Sequence, residues 1–110
     1  MKKAYRVKKE RDFQRVFEQG SSCANRRFVV YKLPKEQDHF RVGISVGKKV
    51  GNAVMRNSVK RKIRASLYTL KDQIDPNLDF IIIARPTVSE LDSEELLKNL
   101  KHVLKLAKII

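Results

Sequence analysis

Gly51-Asn52-Ala53-Val54-Met55-Arg56-Asn57-Ser58-Val59-Lys60-Arg61-Lys62-Ile63-Arg64 opens the stretch whose period decides the fold. Asn52 has the side chain of a helix N-cap, and the pattern predicts a helix over 53–70. At about 100° per residue, Met55, Val59, Ile63, Ser66, Leu67 and Leu70 share one face. Asn57, Lys60, Arg61, Arg64 and Lys71 fall on or near the opposite face, with Arg56 and Lys62 at the boundary. One side of this helix is built to pack and the other is cationic.

Strand-like segments flank the helix. Residues 40–46 (Phe-Arg-Val-Gly-Ile-Ser-Val) precede it through the short loop 47–52, which carries Lys48 and Lys49. Residues 80–84 (Phe-Ile-Ile-Ile-Ala) follow a turn at Pro76-Asn77 and are apolar throughout, as in a strand buried on both faces. Strand, helix, strand in this order implies a parallel pair. Further out, residues 24–32 alternate as a strand that we expect to run antiparallel to 40–46, with a turn at 34–38. Residues 9–19 read as a helix, with Glu10 and Asp12 at its positive end and Gly20 as a left-handed stop. Asp92 caps a last helix; Glu95 stands three residues on, Leu91 can staple against Leu96, and Leu96, Leu97, Leu100, Val103 and Leu104 form its buried stripe. Repeats, low-complexity tracts and linkers are absent from the sequence, so its 110 residues read as one α+β domain, with 1–8 as a basic arm free to be loose.

The charge says what the outer face meets. Residues 39–71 contain no acidic side chain and nine Lys or Arg. Residues 1–71 hold 20 basic and 5 acidic side chains, whereas 72–110 hold 5 and 7. A solvated helix face normally mixes both signs into pairs four residues apart. This face has no partner of its own and needs a polyanion. A membrane is a poor candidate, because no apolar run approaches the roughly 20 residues that span a bilayer. The N-terminus is basic but lacks the apolar core of a signal peptide. The single cysteine, Cys23, excludes an intrachain disulfide, suits a reducing cytosol and reads as a small apolar strand residue. His39 and His102 stand far apart and make no zinc pattern with it. Paired carboxylates, a nucleophile elbow and a GxxxxGK[ST] loop are all missing, so the residues offer no protein catalysis and no metal site. Guanidinium forks pair with phosphate, and Asn57 adds an amide able to read a base edge or a hydroxyl. Phe13, Phe17 and Tyr31, bordered by Arg and Lys, suit base stacking; two Phe four apart on a short helix equally suit a core. Three other readings share the charge pattern: a ribosomal or other structural RNA-binding protein, a DNA-binding regulator, and a stand-alone nuclease.

The segments Arg41-Val42-Gly43-Ile44-Ser45-Val46, Lys48-Lys49, Gly51 to Asn57 and Lys60-Arg61-Lys62-Ile63-Arg64 resemble the signature of the bacterial ribonuclease P protein subunit. Asp12 to Phe17, Ala24 to Phe28 and Asp79 to Arg85 keep the family's order and spacing, so the resemblance covers roughly residues 5 to 105. It implies a fold in the order α-β-β-β-α-β-α, a sandwich with a left-handed β-α-β crossover resembling domain IV of elongation factor G, the third strand being a short piece of 24–46. It also implies a cytoplasmic protein, monomeric in isolation, that binds a catalytic RNA and assists removal of the 5′ leader from precursor tRNA. The RNA and its Mg²⁺ would do the hydrolysis. Arg56, Asn57, Lys60, Arg61, Lys62 and Arg64, with Lys48 and Lys49, would contact RNA. Phe13, Phe17 and Tyr31 would line a cleft for the leader. Ser58 stands where many members carry Arg, so this position brings no charge to phosphate, while Lys62 supplies charge nearby.

Overall fold

The computed structural model describes residues 3–110. Its elements are α1 (Glu10–Gln19), β1 (Ser21–Ala24), β2 (Phe28–Pro34), β3 (Arg41–Val46), α2 (Ala53–Leu70), β4 (Leu78–Ala84) and α3 (Ser93–Leu106). Short 3-10 turns at Lys3–Tyr5, Lys48–Val50, Lys71–Gln73 and Pro86–Glu90 join them. The strands form one sheet in the order β1-β2-β4-β3. The chain is thus α+β, in the order the resemblance implies.

β4 holds the sheet together because both its faces are apolar from Phe80 to Ala84. Phe80, Ile82 and Ala84 join Phe28 and Val30 of β2 in the main core, against Val59, Ile63 and Leu67 of α2 and Leu96, Leu100 and Leu104 of α3. Ile81 faces the other way, toward α1, and is fully buried; Val16 of α1 is buried too. β4 pairs parallel with β3 and antiparallel with β2. The strands over 24–32 and 40–46 therefore run in opposite directions as expected, but they are not neighbours: β4 inserts between them. A strand apolar on both faces over 80–84 suits that position, and its buried Asp79 is paired with Arg41 of β3.

The long strand read at 24–32 is two strands and a turn. The Oδ1 of Asn25 accepts the backbone N–H groups of Arg27 (2.9 Å) and Phe28 (2.8 Å). This turn closes the β1–β2 hairpin, so the third strand begins at Ser21, ahead of the span expected for it. The Asn25 amide also donates to the Asn99 carbonyl at 2.9 Å, which fastens the hairpin to α3. Gly20 does not take a left-handed conformation; its φ is −83° and its ψ 168°. A glycine belongs there because a Cβ would lie 2.4 Å from the carbonyl oxygens of both Val16 and Lys32. The helix ends as expected, by close approach of two backbones rather than by positive φ. Both cap assignments stand: Asn52 accepts from Met55 N–H at 2.9 Å and Asp92 from Glu95 N–H at 2.8 Å.

Of the basic arm, residues 1 and 2 lie outside the described residues. Arg6 bridges Val42 in parallel on the outer edge of β3, Val7 N–H donates to the Val42 carbonyl at 3.0 Å, and Val7 is buried. Tyr5 stacks on His39 at 4.2 Å between ring centroids.

One ion pair crosses from β3 to β4 on the α1 side. Arg41 donates through Nε to Asp79 Oδ1 (3.0 Å) and through Nη2 to Oδ2 (2.6 Å), Gln37 donates to the same Oδ1 at 3.1 Å, and Asp12 of α1 stands 3.8 Å from the guanidinium. Burial pushes the Asp79 carboxyl up, but the hydrogen bonds from Arg41 and Gln37 and the nearby positive charge outweigh it and hold Asp79 below the usual carboxylate range. A carboxyl depressed on folding stabilises the protein above its unfolded pKa, about 3.9, and that contribution is lost as pH falls through the folded value. Wild-type stability measured by urea unfolding should therefore drop below about pH 4, and Asp79→Ala should cost roughly 3 kcal/mol at neutral pH and flatten that acid dependence.

Candidate nucleic-acid interface

α2 turns Val59, Ile63, Ser66, Leu67 and Leu70 into the core. Asn57 and Arg61 are exposed on its far side, and Lys60 and Arg64 are half-exposed. Lys48 and Lys49 are exposed on the turn before it, so the cations extend past the helix N-terminus. Gly51 adopts a φ of 155°, which a side chain would resist, and lets the chain pass from that turn into the cap. Met55, read from the period as inward, keeps 39% of its surface exposed and packs against Gly51. Two cations differ from the rest. The Lys62 ammonium donates to the Leu91 carbonyl at 3.3 Å, which turns it toward the 3-10 segment before α3. The Nε of Arg56 is buried and has no hydrogen-bond partner among the described residues. Leaving such a donor unsatisfied costs about 1–3 kcal/mol, so fold stability alone does not account for an arginine there.

The second part of the interface is the sheet face under α1. Gly43, Ile81, Tyr31 and Ser22 lie in register as one row across β3, β4, β2 and β1. Phe13 sits on Gly43: a Cβ there would come within 2.6–2.7 Å of its ring. Phe17 packs edge-on against Tyr31, 5.0 Å between centroids, and keeps 38% of its surface exposed. One turn of α1 therefore steps from β3 to β2, and the helix crosses the strands rather than following them. A ten-residue helix laid crosswise cannot cover the face. The next row, Ser45, Ile83, Val29 and Ala24, stays half-exposed or exposed. The result is an apolar floor beside three aromatic rings, open to solvent.

The two parts meet at the edge of β3. Arg64 of α2 and Phe13 of α1 line one pocket of about 130 Å³ with Arg6, Val7, Val42, Gly43 and Ile44. Arg6 also lines a neighbouring pocket with Lys8, Lys9, Asp12 and Arg41. Sequence reasoning assigned no site role to Arg6, Lys8 or Lys9, because a short segment without period has no readable face; their only signal was the density of charge in 1–8. Among the described residues no group of three or more His, Cys, Asp or Glu is arranged to hold a metal ion, and no helix is long and apolar enough to cross a membrane.

A family model described as Ribonuclease P matches residues 1–108. This chain belongs to that family. The ribonuclease P protein component of Enterococcus faecalis is 69% identical over 111 residues, covering 100% of this chain and 94% of that protein. The corresponding protein of Ligilactobacillus salivarius is 64% identical, with 100% and 98% covered. Among solved structures, a Staphylococcus aureus RNase P protein superposes with a TM-score of 0.91 at 50% identity, covering 97% of this chain and 98% of that one. The Thermotoga maritima RNase P protein gives 0.84 at 33% identity, covering 92% and 96%. The family places the chain in ribonuclease P as its protein subunit, in tRNA processing. Against the RNA of that enzyme, Arg56→Met should lower affinity and reduce the salt slope of binding by about one, while the melting temperature of the free protein stays level or rises.

Proposed function

We propose that this chain acts in ribonuclease P by holding two RNAs at once: the catalytic RNA along α2 and the single-stranded 5′ leader of precursor tRNA in the groove beside α1. The observation that carries this reading is the uncovered row Ser45, Ile83, Val29 and Ala24 with Phe13, Phe17 and Tyr31 along it. An apolar floor with aromatic walls stacks bases without reading a duplex, which suits an unpaired strand. α2 suits phosphate instead, since Asn57, Lys60, Arg61 and Arg64 follow one another along one side.

This arrangement works by positioning. Substrate and catalyst are both polyanions, and the cations of the edge between the two surfaces (Arg6, Lys8, Lys9 and Arg64) reduce their repulsion where they approach. Fixing the leader fixes the scissile bond relative to the catalytic RNA, and such orientation is a large source of rate enhancement. Hydrolysis belongs to the RNA and the Mg²⁺ it binds; this chain's residues bind and orient. The family relationship and the groove together favour this reading over a ribosomal or packaging protein, a DNA regulator or a nuclease acting alone.

Phe17→Ala and Tyr31→Ala, tested in the reconstituted holoenzyme at limiting Mg²⁺, should each weaken binding of leader-bearing precursor by about tenfold and leave mature tRNA unaffected. Equal losses for both substrates would mean the rings serve only the fold.

A further inference from the structure

Tyr68 has no part in the core. It lies near the C-terminal end of α2 and keeps 62% of its surface exposed, whereas the inward face there is complete with Ile63, Leu67 and Leu70. An isolated exposed tyrosine is ordinary in most proteins. This one is not isolated. Asn57, Arg61, Arg64, Tyr68 and Lys71 are spaced by four, three, four and three residues, which places all five on one stripe of the helix. Lys71 keeps helical dihedrals (φ −53°, ψ −36°), so the stripe continues through it. Its ammonium lies 4.2 Å from the centre of the Tyr68 ring. One ring face is thus covered by a cation, and the extensive remaining exposure leaves the other open. The stripe is acid-free over its whole length, Asp72 being the first carboxylate after Asp38.

We infer that Tyr68 is a stacking platform for an unpaired nucleobase of the RNA bound along α2, with Lys71 holding the ring and pairing with the adjacent phosphate. This inference rests on the reading of α2 as the surface for catalytic RNA and extends it by one specific contact. The cations that flank the ring along the stripe, Arg64 and Lys71, select RNA over a protein partner, because they call for a polyanion. Stacking needs only a π face, so the platform would tolerate any base and would set where the RNA strand leaves the helix. It is separate from the groove at Phe17 and Tyr31, which lies on the face of the sheet opposite α2.

The test is equilibrium binding of the full chain to ribonuclease P RNA across a salt series, with Tyr68→Leu, Tyr68→Phe and Arg61→Ala. Tyr68→Leu should weaken binding by about tenfold without changing the salt slope, because stacking releases no counterion, and Tyr68→Phe should stay within about twofold of wild type. Arg61→Ala should lower the slope by about one. Thermal melts of the free variants should match wild type, since the ring is outside the core. If Tyr68→Leu binds as wild type while Arg61→Ala is weakened, the platform is wrong and the α2 surface stands. If Tyr68→Phe is as weak as Tyr68→Leu, the hydroxyl rather than the ring makes the contact and stacking is wrong. If neither Arg61→Ala nor Tyr68→Leu changes binding, both the platform and the α2 surface fall.

Discussion

Ile81 must leave water in one direction while Phe80 and Ile82, its neighbours in β4, must leave it in the other. No single layer of helices satisfies both demands. The chain meets them with α2 and α3 on one face of the sheet and α1 on the other, and most of the architecture follows. β4 takes the central place because an edge would expose it; β2 and β3 shield its two sides; and α2, the connection between β3 and β4, packs on the larger core. The smaller core under α1 is what remains for Ile81 and Val16. Each fully buried Ile or Leu contributes about 1.5–3 kcal/mol, so these demands outweigh local preferences such as the continuity of a strand over 24–32.

The unequal layers also produce the interface. Two helices cover the main-core face, so its outer surface is helical and carries the cations of α2. One short helix crosses the other face and leaves a row of the sheet open. Gly43 is the hinge of that asymmetry: without a Cβ it lets the Phe13 ring lie on β3, and α1 consequently runs across the strands. Arg41 and Asp79 secure the same region, tying β3 to β4 with Asp12 of α1 beside them. The outer edge of β3 is covered only in part by residues 5–7, and it is there that Arg64 comes around from α2 to meet Phe13. The charged and aromatic surfaces, separate in sequence, become neighbours at this edge.

Elements with strong local signals are legible in the amino-acid sequence itself. The α2 helix, the caps at Asn52 and Asp92, the double burial of 80–84 and the parallel pairing across α2 all rest on period, capping chemistry or chain connectivity. The signals that mislead are those with two physical explanations. Gly20 ends α1 as a glycine should, yet the reason is close approach to the carbonyls of Val16 and of Lys32, the latter on another element. Asn25 looks like a strand residue because its role lies in hydrogen bonds to Arg27 and Phe28 that no period reports. The arm at 1–8 has charge but no pattern, so nothing in it announces the pairing of Arg6 with Val42.

For the interface, sequence alone determined that one side of α2 is cationic, that it has no internal counter-charge and therefore calls for a polyanion, because helical period and residue charge are local properties. It also named the family through contiguous motifs. What it could not decide was whether Phe13 and Phe17 belong to a core or to a surface, since four-residue spacing puts them on one face in either case. That choice depended on the register of four strands and on the angle at which α1 crosses them. Only the packed sheet sets both: it lets Phe13 settle on Gly43, and it leaves Phe17 and Tyr31 at the margin of an open row.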